Sequence, residues 1–391
     1  MAGRRVAVTG IGAVTPVGIG IDAFWRGLNA PQPGTAQRRV DDFDPEAYFD
    51  NPKETRRADR FTQFAIAAAA EALGQAGNLT ADPERIGVWV GTGVGGILTL
   101  EAQIIVGHDK GLNRVSPFLV PMMMANAATA SISMRWGFQG PCENTVTACA
   151  AGTHSIGNGA RLIQHGVCDV VVAGGSEASL CQTAMAGFAN MTALSSSGVS
   201  RPFDRDRDGF VIAEAAGILV LEEWEMAVAR GATILAEVLG SSSTADAHHI
   251  TAPATGGAGA IRCMRQALAD AGVTAAEVRH VNAHGTSTPL NDAAEAAAMA
   301  EVFGDLRPIV TSTKGVTGHA LGAAGAIEAI AVVLSMKHKL IPPTDGHVND
   351  DPDMAPFDLV LGQARPWEPG VSISNSFGFG GHNGTVVLRP A

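Results

Sequence analysis

One cysteine stands where a thiol could act as a nucleophile. Residues 147–152 read Thr-Ala-Cys-Ala-Ala-Gly, and Cys149 lies at the turn between a strand predicted over 144–147 and a helix predicted over 150–165. The unpaired N–H groups and the dipole at the start of a helix favour a thiolate. The small neighbouring residues leave room for a substrate beside the sulfur. The pattern indicates a nucleophilic cysteine, although a buried structural cysteine fits the same spacing.

Two of the eleven histidines follow predicted strands inside glycine-containing turns. His284 follows a strand predicted over 280–283, and His319 follows one predicted over 309–312. Ligands of α/β sheets bind at such strand ends, and an imidazole is a suitable acid, base or hydrogen-bond donor beside a thiol. Either histidine alone could be a turn residue bonded to backbone, but their matching positions favour function. The adjacent histidines at 248–249 have no third ligand at metal-binding spacing, so we predict no metal site.

Two glycine-rich turns follow strands and invite different interpretations. The Gly-Phe-Gly-Gly turn at 378–381 follows a strand predicted over 371–374 and could aim backbone N–H groups at an oxyanion. Residues 91–96 match the Gly-x-Gly-x-x-Gly pattern of dinucleotide-binding proteins. That pattern requires a helix directly afterwards and an acidic residue at the end of the next strand, whereas Asp109 lies in a polar, loop-like stretch. A nicotinamide-dependent oxidoreductase is therefore a remote alternative.

The elements around these residues alternate between strands and helices. Apolar runs rich in valine and isoleucine alternate with alanine-rich stretches, which is typical of buried sheets covered by helices. Small-residue helices predicted over 150–165 and 322–337 lack a polar face and should be buried. We therefore predict an α/β fold of two duplicated halves, 1–240 and 241–391, in a layered α/β/α/β/α arrangement. Further strands are predicted at 5–8, 86–90, 170–173, 218–221, 234–239 and 359–361, and further helices at 60–76, 256–271 and 292–303.

Composition excludes several classes of partner. The 391 residues carry a formal net charge of −11, so no basic surplus is available to neutralise nucleic-acid phosphates. The apolar stretches are shorter than the ~20 residues of a membrane span, and the N-terminus lacks the apolar core of a signal peptide. We expect a cytoplasmic protein that binds neither nucleic acid nor membrane. The five cysteines include no Cys-x-x-Cys pair, so we predict neither a disulfide framework nor a structural zinc site.

Four ordered segments together resemble the β-ketoacyl-acyl carrier protein synthases, most closely the elongating type II synthases of fatty acid synthesis. These segments are 147–152, 282–289, 314–319 and 375–383, and the similarity extends over nearly the whole chain. The resemblance implies the thiolase fold. It also implies a decarboxylative condensation, in which an acyl chain held as a thioester on Cys149 is extended by two carbons from malonyl-acyl carrier protein.

The resemblance also implies roles for individual residues. His284 and His319 would donate hydrogen bonds to the thioester oxygen of the malonyl enolate, and Lys314 and Glu328 would support His319. The oxyanion hole would consist of the backbone N–H groups of the nucleophile and Phe379. No cofactor is implied, since the substrates are carried on the phosphopantetheine of the carrier protein. The remaining implied residues are Thr286 and Thr288 for the pantetheine arm, Val94, Phe188 and Phe379 for the acyl pocket and its gate, and Lys53, Arg56, Arg57 and Arg114 for carrier-protein docking.

Residue types narrow the choice within this superfamily, but they leave the pathway open. A thiolase has a second cysteine near the C-terminus, initiating synthases pair the cysteine with one His and one Asn, and chain-length factors lack the cysteine. The chain departs from many bacterial type II synthases at His382, where threonine is common, in the Ala-Glu-Ala-Ala-Gly sequence at 213–217, and in a shorter segment at 31–53. A type II polyketide ketosynthase paired with a chain-length factor is the alternative, and a catalytically silent subunit is a remote one. The chain would form a homodimer or such a heterodimer.

Overall fold

The computed structural model describes residues 3–30 and 37–391, so part of the short segment at 31–53 lies outside the described residues. The strands are β1 Val6–Thr15, β2 Gly18–Ile19, β3 Gln37–Arg38, β4 Ile86–Gly91, β5 Cys142–Glu143, β6 Val170–Glu177, β7 Ile212–Ala213, β8 Ala215–Glu223, β9 Ala236–Ala245, β10 Val278–Asn282, β11 Ile309–Thr311, β12 Leu340–Ile341, β13 Asp358–Leu359, β14 Arg365–Pro366, β15 Val371–Gly378 and β16 His382–Pro390. The α-helices are α1 Ile21–Leu28, α2 Pro52–Thr55, α3 Arg60–Ala76, α4 Ile97–Lys110, α5 Leu119–Met123, α6 Ala127–Trp136, α7 Ala151–Gln164, α8 Gln182–Asn190, α9 Trp224–Ala229, α10 Ala258–Ala271, α11 Pro289–Phe303, α12 Lys314–Thr317 and α13 Ala324–His338.

The large sheet consists of two half-sheets with the same strand pattern. In the first, the order is β1-β8-β6-β4-β5, with β8 antiparallel to β1 and β6, and β4 parallel to β6 and β5. In the second, the order β9-β16-β15-β10-β11 repeats the same directions, and β13 adds an outer strand. The half-sheets join where β1 pairs with β9 over three residue pairs. The predicted fold of two duplicated halves is confirmed, while the predicted boundary at residue 240 falls inside β9.

Two helices, α7 and α13, lie between the half-sheets. Helix α7 contacts β4 and β6 of the first half and β9 and β16 of the second, and α13 contacts β8 and β15. The two helices approach closely because each has a glycine where the other helix packs against it. A Cβ on Gly152 would lie 2.8 Å from the amide nitrogen of Ala326, and a Cβ on Gly325 would lie 2.0 Å from Oγ1 of Thr153. This crossing places the N-terminal ends of both helices in the middle of the molecule.

Most predicted elements are present, but the strand predicted at 144–147 is wrong. The chain forms only the two-residue strand β5 upstream of it, and an isolated bridge joins Thr147 to Cys149. The intervening backbone supports β4 through other bonds: the Trp89 indole donates to Oγ1 of Thr145 at 2.8 Å, and Thr92 N–H donates to the Thr145 carbonyl at 3.1 Å. At the edge of a sheet, such irregular bonding replaces a regular ladder.

One helical stretch, Leu321–His338, is long and apolar enough to span a membrane. It contains α13, and 89% of it is buried inside the protein. A helix that is apolar on all sides is expected in the core, and this helix lies between the two half-sheets.

Candidate active site

Cys149, His284 and His319 meet in one cavity of about 350 Å³ at the junction of the two halves. Cys149 lies just before the start of α7, and the two histidines lie in the segments that follow β10 and β11. The cavity also includes Thr286 and Thr288, whose hydroxyl groups lie 2.8 Å apart, and the turn that contains Phe379. The structure therefore brings together the predicted nucleophile, the two histidines and the threonines predicted for the pantetheine arm.

The turn that carries Cys149 is backbone-strained and closely packed. Ala148 adopts a φ of +48°, which is unusual for a residue with a Cβ. Two backbone hydrogen bonds then start α7, from Ala150 N–H to Thr147 O at 3.1 Å and from Ala151 N–H to Ala148 O at 3.2 Å. A Cβ on Gly378 would lie 3.0 Å from the amide nitrogen of Cys149, so any larger residue there would push the 378–381 turn away from Cys149 by a few tenths of an ångström.

Burial keeps Cys149 a neutral thiol in the resting site. Burial raises the pKa of Cys149 to about 12, although the charge of Lys314 and a hydrogen bond from the backbone N–H of Phe379 act in the opposite direction. The sequence argument that the helix start favours a thiolate is therefore outweighed by loss of solvent. The Phe379 N–H bonded to the sulfur stabilises the thiolate form and partly offsets the effect of burial.

His319 is the immediate partner of the thiol. Its Nε2 lies 3.0 Å from Sγ of Cys149. Burial, together with the charge of Lys314, holds the pKa of His319 well below its usual range, so the ring is neutral. The edge of the Phe210 ring packs on His319, with centroids 5.2 Å apart, and fixes the plane of the imidazole. A neutral imidazole at this distance can accept the thiol proton.

Lys314 bonds to His284 rather than to His319, which corrects the implied role. Its ammonium donates to the main-chain oxygen of His284 at 2.6 Å, to Nδ1 of the same ring at 3.3 Å, and to the carboxylate of Glu328. Because Nδ1 accepts a hydrogen bond, the neutral ring carries its proton on Nε2. Burial, together with Lys314 and His319, holds the pKa of His284 well below its usual range.

Sequence reasoning missed two carboxylates that hold the turn after β10. Glu295 accepts hydrogen bonds from the N–H groups of His284 and Gly285, each at 2.8 Å, and burial raises the pKa of Glu295 to about 7. Asp292 accepts from the N–H groups of Ser287 at 3.1 Å and Phe203 at 2.8 Å. Two acidic residues spaced three apart on the helix after a histidine turn were the signal that could have found them, because they face the same side of that helix.

The Gly-x-Gly-x-x-Gly turn at 91–96 has a structural role. The buried carboxylate of Glu177 accepts hydrogen bonds from Gly93 N–H at 2.6 Å and Gly322 N–H at 3.1 Å. The N–H groups of Gly95 and Gly96 are also bonded within the protein. These donors are the groups that a phosphate would need, so the dinucleotide interpretation loses its support.

The cluster of Cys149, His284 and His319 has a metal-like arrangement, with one ligand atom of each within 4.8 Å of the others. Its hydrogen bonding does not suit a metal. Lys314 donates to Nδ1 of His284, which leaves a proton rather than a lone pair on Nε2. A nearby buried ammonium also opposes a second cation. The arrangement suits hydrogen-bond donation to an oxygen better than metal ligation.

The residues implied for the acyl pocket and gate are only partly brought together. Phe188 packs against the apolar cluster that contains Cys149, and its ring meets Phe210 edge-on with centroids 5.6 Å apart. Phe379 lines the catalytic cavity. Val94 is 43% exposed and does not line this cavity within the described parts of the chain.

The residues implied for carrier-protein docking form an exposed basic patch of Lys53, Arg56, Arg57 and Arg114. The guanidinium of Arg57 stacks on the ring of Phe118 at 4.3 Å, which joins the two chain segments that carry the patch. Across residues 3–30 and 37–391, no carboxylate forms an ion pair with these four side chains within 4.0 Å. Their charges are therefore free to face an acidic partner.

Comparison with known proteins places the chain in a family. Residues 30–227 match the beta-ketoacyl synthase N-terminal domain, and residues 235–347 match the beta-ketoacyl synthase C-terminal domain. The chain therefore belongs to the β-ketoacyl synthase family of condensing enzymes, and the predicted resemblance is confirmed.

Individual relatives resemble the chain over nearly its whole length. The chain is 44% identical over 411 aligned residues to a 3-oxoacyl-[acyl-carrier-protein] synthase 2 of Synechocystis sp., an alignment that covers 99% of this chain and 98% of that protein. An ishigamide ketosynthase/chain length factor has a TM-score of 0.93 at 36% identity, and a type II polyketide ketosynthase in complex with its acyl-carrier protein has a TM-score of 0.90 at 31% identity. Both structural comparisons cover 100% of each chain.

Proposed function

We propose that this chain is a 3-oxoacyl-acyl carrier protein synthase, which extends a fatty acyl chain by two carbons through decarboxylative condensation. The observation that carries this proposal is the contact of 3.0 Å between Nε2 of His319 and Sγ of Cys149. The ring centroids of His284 and His319 are 5.3 Å apart. A thiol, a base and a second imidazole donor in one cavity are the groups that thioester chemistry needs. The 44% identity to a 3-oxoacyl-acyl carrier protein synthase 2 over nearly the whole chain supports the same activity.

The first step is transfer of the acyl group to Cys149. As Sγ attacks the thioester carbonyl, the thiol proton moves to Nε2 of His319, and the carbonyl oxygen becomes an oxyanion. The backbone N–H groups of Cys149 and Phe379 donate hydrogen bonds to it. Collapse of the tetrahedral intermediate breaks the bond to the carrier sulfur, which takes the proton back from His319 and leaves as a thiol. Both histidines are then neutral again.

The second step is condensation with malonyl-acyl carrier protein. Loss of CO₂ leaves its electron pair on the α-carbon, and negative charge develops on the thioester oxygen. His284 donates to that oxygen from Nε2, where Lys314 keeps its proton. His319 is the second donor, and for this its neutral ring must change tautomer so that its proton lies on Nε2. The carbanion then attacks the acyl carbonyl on Cys149, and cleavage of that thioester returns the thiolate of Cys149, which takes up one proton from solvent. The product is a β-ketoacyl chain on the carrier protein, and we propose that no further cofactor takes part.

Docking of the carrier protein is proposed for the basic patch of Lys53, Arg56, Arg57 and Arg114. Acyl carrier proteins are acidic, whereas this chain has a net charge of −11 and would repel them elsewhere on average. An exposed local cluster of positive charge can overcome that repulsion and orient the partner. The similar polyketide ketosynthase in complex with its acyl-carrier protein is consistent with such docking.

A second homologous chain is proposed to cover the surface formed by α4, α5, α6 and β5. These elements contact one another and expose many large apolar side chains, and β5 forms an open edge of the sheet. Contiguous apolar surface and an unpaired edge strand both indicate association. The partner would be a second copy or a homologous chain-length factor. The exposed residues include Ile104, Ile105, Leu112, Val120, Met124, Met134 and Val146.

The decisive experiment is to incubate the purified protein with an acyl-acyl carrier protein and to locate the acyl adduct by mass spectrometry of peptides. We expect an adduct on Cys149, none in Cys149→Ala, and an undiminished adduct in Cys263→Ala, which removes another buried cysteine. An adduct that persists in Cys149→Ala would refute the assignment, and the absence of any adduct in the unaltered protein would support a catalytically silent subunit.

A polyketide ketosynthase is the second candidate, favoured by the two similar ketosynthase structures at 36% and 31% identity. The higher identity to a 3-oxoacyl-acyl carrier protein synthase makes it the weaker candidate. Product length with malonyl-acyl carrier protein, measured with and without a homologous partner chain, separates them. We expect a 3-oxoacyl-acyl carrier protein synthase of fatty acid synthesis to extend its primer by a single two-carbon unit without any partner chain. A polyketide ketosynthase would form poly-β-keto products, and only with its partner chain present.

A further inference from the structure

The ring of His154 connects the turn that carries the nucleophile to the strand that carries the oxyanion turn. Its Nδ1 lies 2.8 Å from the hydroxyl oxygen of Thr147, and its Nε2 lies 3.0 Å from the main-chain oxygen of Asn383. Thr147 is two residues before Cys149, and Asn383 is four residues after Phe379. His154 belongs to α7 and is only 7% exposed. It lines no part of the catalytic cavity described above.

The partners fix the protonation of this ring. A carbonyl oxygen can only accept, so Nε2 carries the proton and donates it to Asn383, and Nδ1 accepts from the Thr147 hydroxyl. Burial lowers the pKa of His154, with His382 and Arg161 acting in the same direction, so the ring remains neutral. One neutral imidazole therefore makes two directed hydrogen bonds to two different elements.

The ring has little freedom to move. A Cβ on Gly384 would lie 3.0 Å from both Cδ2 and Nε2 of His154, so this edge of the ring packs closely against the β16 backbone. Next to it, the hydroxyl groups of Thr153 and Ser376 are 2.8 Å apart, which ties α7 to β15 as well. A rigid, directed connection of this kind can set the distance between two elements.

That distance matters for catalysis because the two oxyanion donors are on separate elements. The N–H of Cys149 follows the strained Ala148 on one side, and the N–H of Phe379 comes from the β15–β16 turn on the other. Strained backbone keeps its conformation only where the surroundings hold it, and an error of about 1 Å in donor placement can cost about 100-fold in rate.

We propose that His154 is a positioning residue that sets the spacing of the two oxyanion-hole donors through Thr147 and Asn383. This inference rests on the proposed function, because the oxyanion hole serves acylation of Cys149. It predicts a selective defect. Acylation of Cys149 and the condensation that follows use this hole, whereas decarboxylation of malonyl-acyl carrier protein uses His284 and His319, which His154 does not contact.

The test compares Thr147→Val, which removes the hydroxyl but keeps the shape, with His154→Phe, which removes both ring bonds. The rate of Cys149 acylation is followed by mass spectrometry, and CO₂ release from malonyl-acyl carrier protein is measured without primer. We expect acylation to fall about tenfold or more in both variants, while decarboxylation stays within about twofold of the unaltered protein. Thr147→Ser, which keeps a hydroxyl, should recover most of the acylation rate.

Ser155→Ala is the matched control, because it removes a buried hydroxyl of α7 that donates within its own helix, to Ala151 O at 2.8 Å. Its two rates should change by the same small factor. Equal losses of acylation and decarboxylation in Thr147→Val, or unchanged acylation in both variants, would overturn the proposal. The double variant Thr147→Val with His154→Phe should lose no more of the acylation rate than the more impaired single variant, because both substitutions remove the same connection. If the unaltered protein forms no acyl adduct, the proposed function itself fails, and this inference fails with it.

Discussion

Lys314 and His284 are joined by two hydrogen bonds, from the ammonium to the main-chain oxygen at 2.6 Å and to Nδ1 of the ring at 3.3 Å. The third N–H of the ammonium donates a hydrogen bond to the carboxylate of Glu328. With all three donors engaged, the lysine holds the imidazole in the tautomer that carries its proton on Nε2. The lysine thus acts on the chemistry through the histidine, without being the group that reaches the substrate.

Lys314→Met should therefore impair decarboxylation more than acylation. Without the ammonium, His284 can place its proton on either nitrogen, and the donor to the enolate oxygen is lost in part of the population. We expect CO₂ release from malonyl-acyl carrier protein to fall by about tenfold or more, with a smaller change in formation of the Cys149 adduct. Lys337→Met, at the exposed end of α13, is the matched control. Equal loss of both rates would contradict this role.

The thiol of Cys149 should show an unusual pH dependence. Because burial raises its pKa to about 12, the thiolate fraction grows about tenfold for each pH unit throughout the range from about 7 to about 10. Alkylation of Cys149 by iodoacetamide should rise over this whole range without a plateau, whereas glutathione levels off near its own pKa. The measurement is the alkylation rate from peptide mass spectrometry. A rate independent of pH above about 7 would instead indicate a preformed thiolate–imidazolium pair.

Reversing the charge of the docking patch should weaken carrier-protein binding alone. Arg56→Glu with Arg57→Glu should raise the KM for acyl-acyl carrier protein by about tenfold at low salt, and less at high salt. Turnover of a small malonyl thioester should not change, because neither arginine lines the catalytic cavity. Arg26→Glu with Arg265→Glu supplies the same change of charge on exposed positions of α1 and α10. A similar KM increase in that control would mean that net charge, rather than this patch, is responsible.

Asp169 should contribute acid-sensitive stability. Hydrogen bonds from Arg85 and Arg4 lower the pKa of Asp169 to about 2. A lowered pKa in the folded state stabilises the protein above the ordinary value near 3.8, and this contribution is lost as the pH falls toward about 2. Asp169→Asn should cost about 1–2 kcal/mol at neutral pH, after allowing for the partly exposed arginines. Denaturant unfolding should show the difference from the unaltered protein shrinking below about pH 4; a constant difference would contradict it.

Two glycine substitutions should change stability in opposite directions. A Cβ on Gly322 would lie 2.2 Å from the amide nitrogen of Gly93, so Gly322→Ala must push the backbone apart and should destabilise by at least about 1–3 kcal/mol. Gly74 lies in α3 with no atom near its Cβ position, and Gly74→Ala should stabilise by about 0.5–1 kcal/mol. Thermal unfolding checks both. A Gly322→Ala protein as stable as the original would show that this turn is loosely packed.

The sequence was informative wherever local chemistry and pattern coincide. The helix predicted at 60–76 agrees with α3, and the strand predicted at 170–173 is the first half of β6. Continuous apolar runs and small-residue stretches are stable only when they are buried, so their pattern indicates the element directly. The positions of His284 and His319 after strands followed in the same way, whereas Cys149 was correctly placed only with respect to the helix that follows it. The small-residue helices, read as buried, are the central pair α7 and α13.

Other features depend on contacts between distant segments and are not visible in a linear pattern. The pKa of Cys149 reverses the expectation from its helix because solvent exclusion is a property of the assembled site. The contact of Lys314 with His284 joins two turns from different strands, and the contact of His154 with Asn383 spans 229 residues. The strand predicted at 144–147 failed because edge backbone can satisfy its hydrogen bonds without a regular ladder.

The repeated strand order has a consequence for how the two halves divide their labour. The turn before α7 and the turn before α13 occupy equivalent positions in the duplicated topology, and the helices cross at the glycines Gly152 and Gly325. An ancestral pair of identical subunits with this symmetry would have brought two copies of one turn face to face. In the fused chain, one copy carries the thiol and the other the imidazole of His319. Because each half now carries only one of these two groups, neither half could perform the reaction without the other.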